Sequence, residues 1–167
     1  VRMVGHTEAS QSTGFIERLR TERDAPVADV FWSSEVFTSI DLAREGVLVP
    51  SDPPAAASRP ADSRDPQGRW HGFAARARVI AYDPERFAAG ELPEAWSDVI
   101  RDRWSGRVVM SDPRFDTAGG HLGVMKHWWD TRLMPGFYDA WLLGLRDVGA
   151  RLLPGGDAAA VRAVLEG

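Results

Sequence analysis

A chain of 167 residues, 44% hydrophobic and 26% charged, has the apolar content for one sizeable core or two small lobes. Its formal net charge of −4, with no block of Lys or Arg, argues against a nucleic-acid surface. The absence of cysteine excludes a disulfide frame and thiolate metal sites, and no apolar run approaches the roughly 20 residues of a membrane span.

Taken in chain order, strand-like and helical patterns alternate. Residues 1–4 (VRMV) read as a strand, and no signal peptide is expected within this chain, which reads as a piece of something longer. A polar loop over 6–13 leads to a helix with Phe15, Ile16 and Leu19 on one face. The run ADVFW (28–32) predicts a strand buried on both faces. Ser33 is a favoured N-cap for a helix carrying Val36, Phe37, Ile40 and Ala43, which ends at Gly46. Residues 50–66 hold five of the eleven prolines and read as a loop. FAARARVIAY (73–82) predicts a long strand and RVVMS (107–111) another. Helices follow through Leu122, Met125 and Trp129, then through Phe137, Trp141, Leu145 and Val148. ARLL (150–153), the turn PGGD and an Ala/Val helix repeat the strand–turn–helix theme. Such alternation predicts an α/β fold with largely parallel strands.

In parallel sheets, ligands gather beyond the carboxyl ends of strands, at helix N-termini. Two strand ends carry polar residues there: Ser33, Ser34 and Glu35 after ADVFW, and Asp116, Thr117, Ala118, Gly119 and Gly120 after RVVMS. Two glycines where a helix begins imply either a backbone that something approaches closely or a simple turn behind a capping Asp116 or Thr117. On the first reading the N–H groups make an anion cradle, with the Thr117 hydroxyl as a further donor. Arg76 and Arg78 lie two apart, on one face of a strand, and suit an anion clamp, an internal ion pair or an exposed edge. His121 and His127 match no familiar zinc spacing, and neither a nucleophile elbow nor a Walker or Rossmann glycine pattern is present. Most of the seven tryptophans should be core or surface anchors; Trp96 and Trp104 flank a short helix.

Four segments in order, ADVFWSSEVFTSIDLAREGVLVP, GRWHGFAARARVIAYDP, LPEAWSDVIRDRWSGRVVMSDPRFDTAGGH and GARLLPGGDAAAVRAVLEG, resemble the extracellular solute-binding proteins of iron- and phosphonate-type ABC importers. The resemblance implies a periplasmic-binding-protein-like α/β fold of two lobes. Each lobe would be a mostly parallel sheet flanked by helices, incomplete at both ends of this chain. It implies a partial lobe one over 1–75, a hinge strand over 76–82 and a partial lobe two over 83–167. The ligand site in the cleft between lobes would draw on Ser33, Ser34 and Glu35 from lobe one, Arg76 from the hinge, and Thr117, Ala118, Gly119 and Gly120 from lobe two. The implied function is non-enzymatic: capture of a small anionic or metal-chelated solute, in the periplasm or outside the cell, for delivery to an ABC permease. No catalytic residue, cofactor or nucleic-acid partner is expected. Iron-binding members bring a pair of adjacent tyrosines, whereas Tyr82 and Tyr138 stand apart, so no metal-ligand set is assigned. The alternative is the effector domain of a regulator, or an enzyme, built on the same bilobal fold.

Overall fold

The computed structural model describes residues 12–114 and 117–167; the strand expected over 1–4 and the side chain of Asp116 lie outside them. The described residues up to Ala77 form one compact unit, and Arg78–Gly167 form another.

The first unit is built on α1 (Ser12–Thr21) and α2 (Val36–Arg44), which pack together. The stripe on α2 buries Leu42 and Ala43. Past the C-cap, Gly46 takes φ +74°. Its N–H donates to the Ala43 carbonyl, and that of Val47 to the Leu42 carbonyl. This is the Schellman pairing that glycine permits without Cβ strain, and it stops the helix where the sequence predicts. The proline-rich segment contains only two single-turn 3-10 helices, Pro54–Ala56 and Ala61–Ser63.

Beyond it, the buried carboxylate of Asp65 accepts from the Arg69 guanidinium at 2.7 and 2.9 Å and from the backbone N–H groups of Gln67 and Arg69. Arg69 also donates to the Ala43 carbonyl at 3.0 Å, fastening this turn to the end of α2. The Arg69 hydrogen bonds, reinforced by the backbone donors, hold the Asp65 carboxyl down at about 2 despite its burial. A carboxyl lowered in the folded state contributes stability above its unfolded value of about 3.9, which is lost as pH falls through 2. Asp65→Asn should therefore lower the melting temperature at neutral pH. It should also remove part of the further fall that the wild type shows between about pH 4 and pH 2. Thermal melts across that range read both effects.

Two predicted strands are absent. Residues 28–32 and 73–82 have no regular structure, and among the described residues neither joins a ladder. Val30 is 82% and Trp32 77% exposed, the opposite of the expected burial, although the Trp32 ring meets Phe73 edge-on at 4.7 Å. Composition reports only that a segment suits a buried pleated surface; the ladder itself depends on a partner strand.

The second unit does form the expected parallel pair. β1 (Val109–Ser111) lies beside β2 (Arg151–Leu153), with Val109 opposite Arg151 and Ser111 opposite Leu153. Between them run α3 (Ala118–Arg132) and α4 (Phe137–Asp147), and α5 (Gly156–Glu166) follows β2. The core comprises Val99, Leu122, Met125, Trp129, Tyr138, Trp141 and Leu145. Here the 3.6-residue periodicity of α3 and α4 meets the 3-10 turn Trp96–Ile100. The Trp129 ring stands edge-on to Phe137 and Trp141, at 5.2 and 5.3 Å, and the Trp141 indole N–H donates to the Trp96 carbonyl at 2.8 Å. α4 ends, as α2 does, on a left-handed glycine. Gly149 (φ +70°) donates to the Arg146 carbonyl and Ala150 to the Leu145 carbonyl.

Gly144 marks a close approach of α4 to that turn, since a Cβ there would sit 2.8 and 2.9 Å from Ile100 Cδ1 and Cβ. Gly144→Val should cost about 1–3 kcal/mol by overpacking, read as a lower urea midpoint with an unchanged slope.

Candidate functional site

β1 and β2 run parallel and end side by side, so the turns that open α3 and α5 emerge at one edge of the second unit. Asp112 extends the pairing by donating its N–H to the Leu153 carbonyl at 3.1 Å. Its buried carboxylate accepts from the Arg114 backbone and guanidinium, and these bonds lower its pKa. The descent from β1 is thereby held in a fixed turn.

At this edge polar groups converge. Ser111, the last residue of β1, donates its hydroxyl to Asp157 Oδ1 at 2.6 Å. Asp157 lies in the first turn of α5, just after Gly155 and Gly156, which take φ +103° and +72°. The same carboxylate oxygen accepts from one terminal nitrogen of Arg78 at 2.5 Å, and the other terminal nitrogen donates to Thr117 Oγ1 at 2.6 Å. Arg78 thus ties the start of α3 to the start of α5. Thr117 is the N-cap of α3, yet its side chain makes no capping bond. Because its oxygen accepts from Arg78, its own O–H remains available to donate.

The first turn of α3 presents the N–H groups of Ala118, Gly119 and Gly120. Among the described residues none of these is paired with a protein acceptor, whereas the N–H of His121 donates to the Thr117 carbonyl at 3.1 Å. A guanidinium, a hydroxyl whose proton has no acceptor among the described residues and the positive end of a helix dipole, all at the start of α3, suit an anion. The glycine pair has a second explanation at Gly119, where a Cβ would lie 2.6 Å from the Pro113 carbonyl oxygen. The close approach there is by the protein's own backbone.

His121 sits one turn into α3, its ring 5.2 Å from that of Trp96. Its Nε2 is buried and, among the described residues, has no hydrogen-bond partner. Burial lowers its pKa, the Arg78 charge lowers it further, and Asp157 opposes both.

Of the residues expected from sequence, Thr117, Ala118, Gly119 and Gly120 come together here. Arg76 belongs to the first unit and is exposed; it is Arg78 that reaches Thr117. Ser33, Ser34 and Glu35 also lie in the first unit. Ser33 does not cap α2 as expected. Glu35 is the N-cap, and the Ser33 hydroxyl accepts the Glu35 N–H at 2.9 Å, a local turn before the helix. Ser111, His121 and Asp157 were not singled out as ligand-binding by sequence. The one available signal was the glycine pair before Asp157, which repeats the strand–turn–helix theme of the first site.

The first unit has a concavity of about 660 Å³ lined by Ser51, Asp52, Arg64, Asp65 and His71 among others. Its polar groups are largely committed. Asp65 is held by Arg69, and His71 Nε2 lies 3.1 Å from both the Ser51 and the Gly68 carbonyl oxygens. Among the described residues no three His, Asp or Glu side chains gather as metal ligands, and no helix is long and apolar enough to cross a membrane.

Residues 25–126 match the family model of the bacterial extracellular solute-binding proteins. The chain belongs to that family. It is 30% identical over 115 residues to a probable ABC transporter periplasmic-binding protein, y4fP, of Sinorhizobium fredii, covering 68% of this chain and 32% of that protein. It is also 30% identical over 94 residues to an Fe(3+)-binding periplasmic protein of Serratia marcescens, covering 56% of this chain and 28% of the relative. The crystal structure of iron-bound HitA from Pseudomonas aeruginosa superposes with a TM-score of 0.74 at 27% identity, over 91% of this chain and 47% of HitA. The chain therefore has the α/β solute-binding fold and spans between about a quarter and a half of the length of these proteins.

Proposed function

We propose that this chain is part of the solute-capturing component of an ABC importer, working in the periplasm and passing its cargo to a membrane permease. The names of its relatives, which include Fe(3+)-binding and ABC transporter periplasmic-binding proteins, support this role. The cargo is a small anion or the anionic chelate of a metal, with a ferric chelate favoured by those same names. One observation carries the anionic part of the reading. Arg78, the Thr117 hydroxyl and the first N–H groups of α3 meet at the carboxyl ends of two parallel strands. The guanidinium and the helix terminus bind an oxyanion, and a metal would travel with the anion rather than on a protein ligand set in this unit. Ser33, Ser34, Glu35 and Arg76 are proposed as further contacts supplied by the first unit, and residues 76–82, where one unit gives way to the other, as the hinge.

Calorimetric titration with sulfate, phosphate, citrate and ferric citrate tests the reading. Saturable binding of at least one, weakened about ten- to a hundredfold in Arg78→Ala, is the expected result. A chain indifferent to all four would contradict it.

A further inference from the structure

The concavity of the first unit has a built frame. Its walls, which include residues 50–52 and 64–68, are tied together at Ser51 and Gly68. The Ser51 N–H donates to the Gly68 carbonyl at 2.8 Å. His71 Nε2 lies 3.1 Å from the carbonyl oxygens of both residues. Those oxygens can only accept, so Nε2 carries the proton and bridges the walls. Gly68 takes φ +72°, and a Cβ there would lie 3.0 Å from the Ser51 carbonyl oxygen, an approach that suits glycine. A frame held in this way is in place before any ligand arrives, which lowers the cost of binding.

Most polar groups of the concavity are committed to that frame, but two charged side chains are not. Arg64 is half-buried, and its single hydrogen bond among the described residues runs to the Ala56 carbonyl at 3.3 Å. That bond holds one terminal nitrogen, while the other and Nε keep donors with no acceptor among the described residues. A guanidinium partly withdrawn from water ordinarily has an acid partner, as Arg69 has in Asp65. Asp52 lines the same concavity, and among the described residues its carboxylate meets neither a cation nor a donor. Two opposite charges thus share one concavity without neutralising each other. The rest of the lining includes the small apolar side chains of Pro50, Ala56, Ala61 and Pro66.

A ligand with only a carboxylate would satisfy Arg64 and be repelled by Asp52. One with only an ammonium would do the reverse. We propose that the concavity binds a small amino-acid zwitterion, its carboxylate on the Arg64 guanidinium and its ammonium on the Asp52 carboxylate. The planar guanidinium presents the paired donors that a carboxylate fits, and an ammonium brings three donors to Asp52. The apolar lining leaves room for a short side chain and offers no partner for a polar one. This is a second ligand site, confined to the first unit, and it stands apart from the anion site at the start of α3.

NMR titration of the 167-residue chain with glycine and γ-aminobutyrate tests it, since these zwitterions differ in the spacing of their charges. Acetate and methylammonium are the controls that carry one charge each. At least one zwitterion is expected to shift the Ser51 and Gly68 amides saturably and to bind more tightly than either control. Its dissociation constant should rise about tenfold in Arg64→Gln. In Asp52→Asn, where the lost carboxylate is exposed, the rise should be roughly three- to fivefold. Comparing the probes on the wild type needs no variant, so a variant that folds poorly does not spoil the test. A wild type whose Ser51 and Gly68 amides ignore both zwitterions overturns the proposal. So does one that binds acetate as tightly as either zwitterion, or an Asp52→Asn chain that binds unchanged. Sulfate shifts at the start of α3 should be the same with and without the zwitterion, and their failure to appear would count against the anion site alone.

Discussion

Replacing Trp141 with alanine should destabilise the second unit by about 3–5 kcal/mol, the usual cost of emptying a large aromatic from a core. Trp141 is 3% exposed, packs on Trp129 and Tyr138, and spends its indole N–H on the Trp96 carbonyl. The substitution therefore removes apolar contact at the centre of the cluster and strands a carbonyl that loses its donor. Urea unfolding followed by far-UV circular dichroism measures the loss. Because the 3-10 turn Trp96–Ile100 leans on α4, Trp141→Phe, which keeps the ring and loses the hydrogen bond, should recover most of it.

Arg78→Ala should reduce sulfate affinity by about 1.5–3 kcal/mol, on the order of ten- to a hundredfold, the usual worth of a hydrogen bond to a charged group. Its effect on melting temperature should be smaller, because Asp157 retains the Ser111 hydroxyl and Thr117 has its helix. Arg78→Lys should fall between the two. The ammonium keeps the charge but cannot reach Asp157 and Thr117 at once as the planar fork does. Calorimetry on the three proteins separates the contributions. Asp157→Asn should act in the opposite direction and tighten sulfate binding, since it removes the negative charge that now competes for Arg78. An Asp157→Asn chain that binds more weakly would mean that the carboxylate's service in orienting Arg78 outweighs its charge.

The helices were legible in the sequence because their cause is local. Apolar stripes at helical spacing and the glycine stop at Gly46 act within a few residues, and the structure places α2 and α4 accordingly. The strands were legible only where a partner exists. RVVMS and ARLL pair with each other, whereas residues 28–32 and 73–82 have equally strand-like composition and no ladder among the described residues. At the candidate site, the glycine-rich start of α3 could be read from the motif, since helix termini expose donors whatever surrounds them. The choice between Arg76 and Arg78 could not, because residues two apart share a face of any extended segment. Asp157 was hidden for a different reason. Its link to Arg78 spans 79 positions, and its link to Ser111 depends on the parallel pairing of β1 with β2. The glycine pair carried a double meaning that sequence alone cannot separate. At Gly119 the carbonyl of Pro113 occupies the space a Cβ would need, so Gly119→Val should disturb the start of α3 as well as any ligand there.

The central claim is that the first turn of α3 is an anion site. Sulfate titration followed in the backbone amide spectrum tests it most directly. The account predicts saturable shifts at Ala118, Gly119 and Gly120, sharing one dissociation constant that rises about ten- to a hundredfold in Arg78→Ala. Sulfate that leaves those three amides unmoved while shifting amides elsewhere would contradict it.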